Sequence, residues 1–138
     1  RAAARNGFVY TSNDGCGSSP GAKIVKYDLN LNEVRRATYS FGSQHVNANG
    51  IAVAPSGEVY VAVTDTTTTK LVKYDANLNP LVDRDVTGIM PVSTDSNELA
   101  FANGVLITAA FDAGQTNIFL RKFDAALNYS GTSAPSRP

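Results

Sequence analysis

Apolar and polar residues alternate with a period of two through short runs that end at Gly, Asn, Asp or Pro, the pattern of β-strands joined by tight turns. Glu58-Val59-Tyr60-Val61-Ala62-Val63 is the clearest such run. Before it, Gly50-Ile51-Ala52-Val53-Ala54 is a short apolar strand closed by the turn Pro55-Ser56-Gly57. After it, residues 70–75 form a third strand, and Leu81-Val82-Asp83-Arg84-Asp85-Val86 a fourth whose charges suit a solvated edge. No helix is predicted anywhere.

The same order recurs on both sides. Val-Lys-Tyr-Asp-x-Asn-Leu-Asn occupies residues 25–32 and 72–79 and returns as Arg121-Lys122-Phe123-Asp124-Ala125-Ala126-Leu127-Asn128. Its aromatics Tyr27 and Tyr74 are 47 residues apart, and Tyr74 and Phe123 are 49 apart. A period of that length belongs to four-stranded propeller blades rather than helical repeats. The expected fold is all-β: a partial β-propeller of about three four-stranded antiparallel blades. Residues 1–6 are read as an N-terminal tail, 7–42 as blade one, 43–90 as blade two, 91–130 as blade three and 131–138 as a C-terminal tail. Blade one takes its second strand from residues 8–11, its third from 23–28 and its fourth from 34–41, which leaves it without a first strand. Blade three uses residues 98–101, 105–110 and 118–124, with Asn103-Gly104 as a two-residue hairpin whose positions both want positive φ. Residues 131–138 are expected to fray.

Twelve basic and twelve acidic residues cancel in a chain of 138 residues. With no basic stripe to follow a phosphate backbone, nucleic acid is excluded as a partner. The longest apolar run, residues 105–111, is far shorter than the ~20 residues a membrane-crossing helix needs, so no membrane insertion is expected. The absence of an initiating methionine and of a signal peptide suggests a processed chain, a fragment or an expressed piece. Cys16, the single cysteine, has no internal disulfide partner. Abundant Thr, Ser and Asn with few charges favour an extracellular, cell-surface or periplasmic setting, and Asn128-Tyr129-Ser130 is a glycosylation sequon.

The stretch 49–62, followed by Leu71-Val72-Lys73-Tyr74-Asp75, resembles the blade consensus of NHL-type and bacterial or archaeal β-propeller repeat proteins. That resemblance implies a binding or scaffolding module without catalytic machinery of its own, and leaves open whether the ligand is a small molecule, a glycan or a protein. About three blades are too few for the usual closed ring of roughly 4–8. The remaining partners are therefore other blades, from a longer parent chain, from copies of this chain closing a ring of about six around a two-fold axis, or in an open array. The absent first strand of blade one favours a longer parent.

Two asparagines hold matching places before the inner strands, Asn49 and Asn97, 48 residues apart. This placement is similar to the six-bladed calcium-dependent lactonase and gluconolactonase superfamily. The resemblance implies that Asn49 and Asn97 are oxygen ligands to an axial calcium, with Asp95 or Glu98 supplying charge, in a hydrolase that polarises a lactone or ester carbonyl. His45 is the candidate general base. The alternative makes both asparagines turn caps and His45 a surface residue. Asp28-x-Asn30-x-Asn32 and Asp75-x-Asn77-x-Asn79 open like calcium loops but lack the Gly at position six and the Glu at twelve. They are read as hairpin turns with Leu31, Leu78 and Leu127 tucked beneath as pegs. The strand tyrosines Tyr10, Tyr27, Tyr60 and Tyr74 are read as core or blade-interface residues, and Thr66-Thr67-Thr68-Thr69 as a solvated loop.

Overall fold

In the computed structural model, residues 1–15, 21–41, 45–90, 97–111 and 118–133 are described. They form three four-stranded antiparallel sheets and, among the described residues, no helix. Sheet one contains β1 (Ala2–Arg5), β2 (Phe8–Asn13), β3 (Ala22–Tyr27) and β4 (Glu33–Tyr39). Sheet two contains β5 (Asn47–Val53), β6 (Val59–Thr64), β7 (Thr69–Tyr74) and β8 (Pro80–Asp85). Sheet three contains β9 (Glu98–Ala102), β10 (Val105–Phe111), β11 (Ile118–Asp124) and β12 (Tyr129–Ser133). Each is a simple meander in chain order, the blade-like unit that the repeat predicts.

Two expectations are corrected. Sheet one has its first strand: Ala2 to Arg5 pair with Thr11 to Phe8, and the hairpin turns through Asn6 and Gly7 at φ 52° and 78°. The chain end is not all tail either, because Gly131, Thr132 and Ser133 pair with Lys122, Arg121 and Leu120. Backbone hydrogen bonding decides both. A sheet whose edge lies within reach recruits even a residue run of weak β propensity.

Turn chemistry is uniform in the three sheets. Asp28, Asp75 and Asp124 each stand at the end of the third strand, and one carboxylate oxygen accepts the backbone N–H groups two and four residues on, at 2.8–2.9 Å. The other oxygen accepts the side-chain amide of Asn32, Asn79 or Asn128 at 2.8–3.0 Å. The turn then passes through Leu31, Leu78 and Leu127 at φ 61–65°, a conformation costly for leucine. The Asp-x-x-x-Asn clamp over-determines the turn and holds that strain in place.

The sheets stack face on face. Val59, Val61 and Val63 of β6 join the core shared with Tyr10 and Ile24 of sheet one. Tyr60 and Ala62, pointing the opposite way, join the core shared with Leu106 and Phe123 of sheet three. Every residue of β6 is buried for that reason, and each valine so removed from water contributes roughly 1.5–3 kcal/mol. Tyr10, Tyr60 and Tyr74 are core as expected, whereas Tyr27 is half-buried. The fourth strands β4 and β8 are largely exposed, as their charges predict. The first strands lie together, β5 touching both β1 and β9.

Candidate functional site

The first strands of all three sheets start at the same end of the stack, and that end concentrates polar groups. Arg1, leading into β1, donates from Nε to the carbonyl of Asn49 in β5 at 3.1 Å. The same Nε lies 3.1 Å from Oε1 of Glu98, the first residue of β9. One guanidinium thus touches three sheets. Beside it, the Ala48 N–H donates to Asp14 at 2.8 Å, and Gly15 and Val46 exchange backbone hydrogen bonds of 2.9 and 3.1 Å.

Asn49 sits at a bulge in β5, where the register with β6 shifts between Ala48 and Gly50. The bulge turns its side chain into the protein, and Nδ2 donates to Thr64 Oγ1 at 2.9 Å. Asn97 occupies the matching place before β9 and is fully buried, but neither Oδ1 nor Nδ2 has a hydrogen-bond partner. The position matching Thr64 is Phe111, which has no hydroxyl to offer. Thr108 Oγ1, also buried, is unpartnered as well. The two asparagines are brought close through their backbones: a Cβ added to Gly50 would overlap the Asn97 carbonyl oxygen. Only glycine permits that approach.

Against the sequence-based candidates, the structure unites Asn49, Asn97 and Glu98 at one end. Among the described residues these groups do not make up a calcium cage. Asn49 and Asn97 offer only neutral amide oxygens, and the charged donor beside them, Glu98, is ion-paired to Arg1. Calcium takes six to eight oxygens with carboxylates among them, and among the described residues no three His, Cys, Asp or Glu side chains lie together. The donors among the described residues do not fit the ion, so no chemical step is derived through it. Asp95 and Cys16 lie outside the described residues. His45 is exposed, just before Val46. The capping alternative is corrected at both positions: the Asn97 amide has no partner, and the Asn49 Nδ2, inside β5, donates to the Thr64 side chain of the neighbouring strand rather than to the backbone of a turn. The aspartates of the three turns act as turn clamps, as expected, and their hydrogen bonds from Asn32, Asn79 and Asn128 hold each carboxyl below the usual range. Of the three leucine pegs, Leu78 and Leu127 are 3% and 0% exposed; Leu31 at 69% is not tucked under anything. The threonine run is organised by Asp65, which accepts the N–H groups of Thr67 and Thr68, and Thr69 is buried rather than solvated.

A second set of contacts escaped sequence reasoning. Lys26 of β3 donates to the Ala76 carbonyl in sheet two at 2.7 Å, and Lys73 of β7 donates to the Ala125 carbonyl in sheet three at 2.9 Å. Lys26 also lies 3.9 Å from the centre of the Phe8 ring, whereas Lys73 is ion-paired to Glu58 at 2.7 Å. Nearer the fourth strands, the Tyr39 hydroxyl donates to Asp83 at 2.5 Å, and burial followed by that bond pushes its acidity far down. The signal for the lysines was in plain view: they are invariant within the repeat.

No protein-family model matches the chain, and no curated protein is similar to it. A solved structure described as a protein of unknown function from Bacteroides caccae superposes with a TM-score of 0.58 at 11% identity, over 92% of this chain and 47% of that one. The likeness shows the fold alone. This chain spans about half the length of that neighbour.

Proposed function

We propose that this chain is a non-catalytic β-propeller module of an extracellular or cell-surface protein, serving binding or assembly. One observation carries the reading: the Asp and Asn of the recurring turn motif, and the recurring lysine wherever a following sheet lies against it, are spent on architecture. The aspartates and asparagines close turns, and Lys26 and Lys73 tie one sheet to the next. Ligand specificity in such a scaffold resides in the first-strand end where Arg1, Asn49, Asn97 and Glu98 meet. A calcium-dependent hydrolase is the second reading, favoured only by the buried, unpartnered amide of Asn97. Thermal melting of the protein with and without millimolar calcium, alongside assays on lactone and aryl-ester substrates, separates the two. The module reading expects no calcium shift and no turnover. A calcium-dependent rise in melting temperature that Asn49→Ala or Asn97→Ala abolishes, with hydrolysis to match, would replace it with the hydrolase.

A further inference from the structure

The face-to-face contact between sheets occurs twice in the chain, and its two halves are left open once each. Every sheet presents a leading face to the next sheet and a trailing face to the one before. On the leading face of sheet one, Tyr10, Ile24 and Lys26 are buried; on that of sheet two, Tyr60 and Leu71 are fully buried and Lys73 is engaged. The matching residues of sheet three are Ile107, Leu120 and Lys122, by their pairing in β10 and β11. Ile107 and Leu120 are only half-buried, Lys122 is exposed, and Lys122 makes no hydrogen bond or ion pair among the described residues.

The trailing face tells the same story at the other end. Leu78 and Leu127 are buried against the preceding sheets, while Leu31, with the same strained φ in the same turn, is 69% exposed. Val9 and Tyr27 are half-buried where Val59, Tyr74, Leu106 and Phe123 are buried. Leu29 stands where Ala76 and Ala125 receive their lysines, and is 71% exposed. Because each sheet already has four strands, neither open face lacks a strand. Each is shaped for a whole sheet carrying the other half of this same contact.

We propose that a second copy of this chain occupies both faces, so that two copies close a six-sheet ring about a two-fold axis. Lys122 of each copy donates to the Leu29 carbonyl of the other, and Leu31 is buried against Ile107 and Leu120. The argument is continuity with an interface the chain already builds twice, lysine to turn carbonyl and αL leucine to apolar face. Two interfaces of one kind form at once, which makes the association closed rather than open-ended. The first-strand ends of both copies then ring one axis, and any ligand site there is made of both. The proposal rests on the propeller reading and not on the choice between binding module and hydrolase, which the calcium and substrate assays decide independently.

Sedimentation velocity and light scattering of the 138-residue protein test it. The expected species is a dimer of the 14.6 kDa chain. Lys122→Glu and Leu31→Asp alter exposed side chains, so each monomer stays folded by circular dichroism, and each weakens the dimer roughly tenfold or more. Mixing the two variants pairs an intact leading face with an intact trailing face at one of the two junctions, so dimers return at a concentration where either variant alone is monomeric. A wild-type monomer at about 100 µM total protein, roughly 100-fold above a Kd of about 1 µM, would overturn the proposal. So would a concentration-dependent ladder beyond the dimer, or a dimer indifferent to both substitutions.

Discussion

Lys73 reaches out of the second sheet to the carbonyl of Ala125 in the third, 2.9 Å away, and thereby fixes how far one sheet slides over the next. Lys26 and Ala76 repeat the relationship at 2.7 Å. A buried ammonium gains from such a bond only when its remaining protons are also met, which Glu58 does for Lys73 and the Phe8 ring does in part for Lys26.

Lys73→Met is expected to destabilise the protein by about 1–3 kcal/mol, since it strips a partner from Glu58 and from the Ala125 carbonyl. Lys122→Met, at an exposed and unpaired position, should change monomer stability by less than about 0.5 kcal/mol. Urea unfolding of both variants, on the Leu31→Asp background to remove association, checks the contrast. Equal effects would deny the lysines their role between sheets.

The three αL leucines separate burial from strain. Leu78→Ala and Leu127→Ala should each cost about 2–4 kcal/mol through lost core packing. Leu31→Gly should be neutral or stabilising by up to about 1 kcal/mol in the isolated chain, because glycine adopts the φ of 62° without penalty. Thermal denaturation of the three variants reads out the difference.

Acid should act through the turns. Asp28, Asp75 and Asp124 have carboxyls held below their ordinary value of 3.8 by the asparagine amides and backbone N–H groups they accept. The folded state therefore binds protons less readily than the unfolded one. The stability these carboxylates contribute is complete above the unfolded value and is lost as pH falls through and below it. Denaturant midpoints measured from pH 6 down to pH 2 should show a plateau followed by a decline, and the triple Asp→Asn variant should flatten that decline.

The two matched asparagines should respond in opposite directions. Asn49→Leu orphans Thr64 Oγ1 and is expected to cost about 1–3 kcal/mol. Asn97→Leu removes two buried polar atoms that have no partners, so it should be neutral or stabilising by about 1 kcal/mol. Gly50→Ala, whose new methyl would overlap the Asn97 carbonyl, should be the most damaging of the set at about 3 kcal/mol or more. Chemical denaturation ranks all three, and a large loss for Asn97→Leu would mean that its amide is satisfied after all.

Much of the fold was legible because its signals are local. Asn103-Gly104 was recognisable as a hairpin, and the structure places both residues at positive φ. The identical signal at Asn6-Gly7 marks the turn between β1 and β2, yet the strand before it, Ala2-Ala3-Ala4-Arg5, has neither alternation nor β-branched residues to announce it. The candidate site was only half legible. Asn49 and Asn97 hold equal positions along the repeat, but their environments differ because the hydroxyl that Asn49 meets belongs to Thr64, 15 residues on, and the corresponding residue for Asn97 is Phe111.

The amino-acid order alone determined the repeat length, the alternation within each strand and the Asp-to-Asn turns, since all three depend on neighbours a few bonds away. Three-dimensional packing decided which equivalent residues became core. Leu31 and Leu78 share a motif, a turn and a backbone conformation, and differ only in whether a sheet lies against them. Burial belongs to the space beside a residue, and no repeat unit contains the information about what stands next to it.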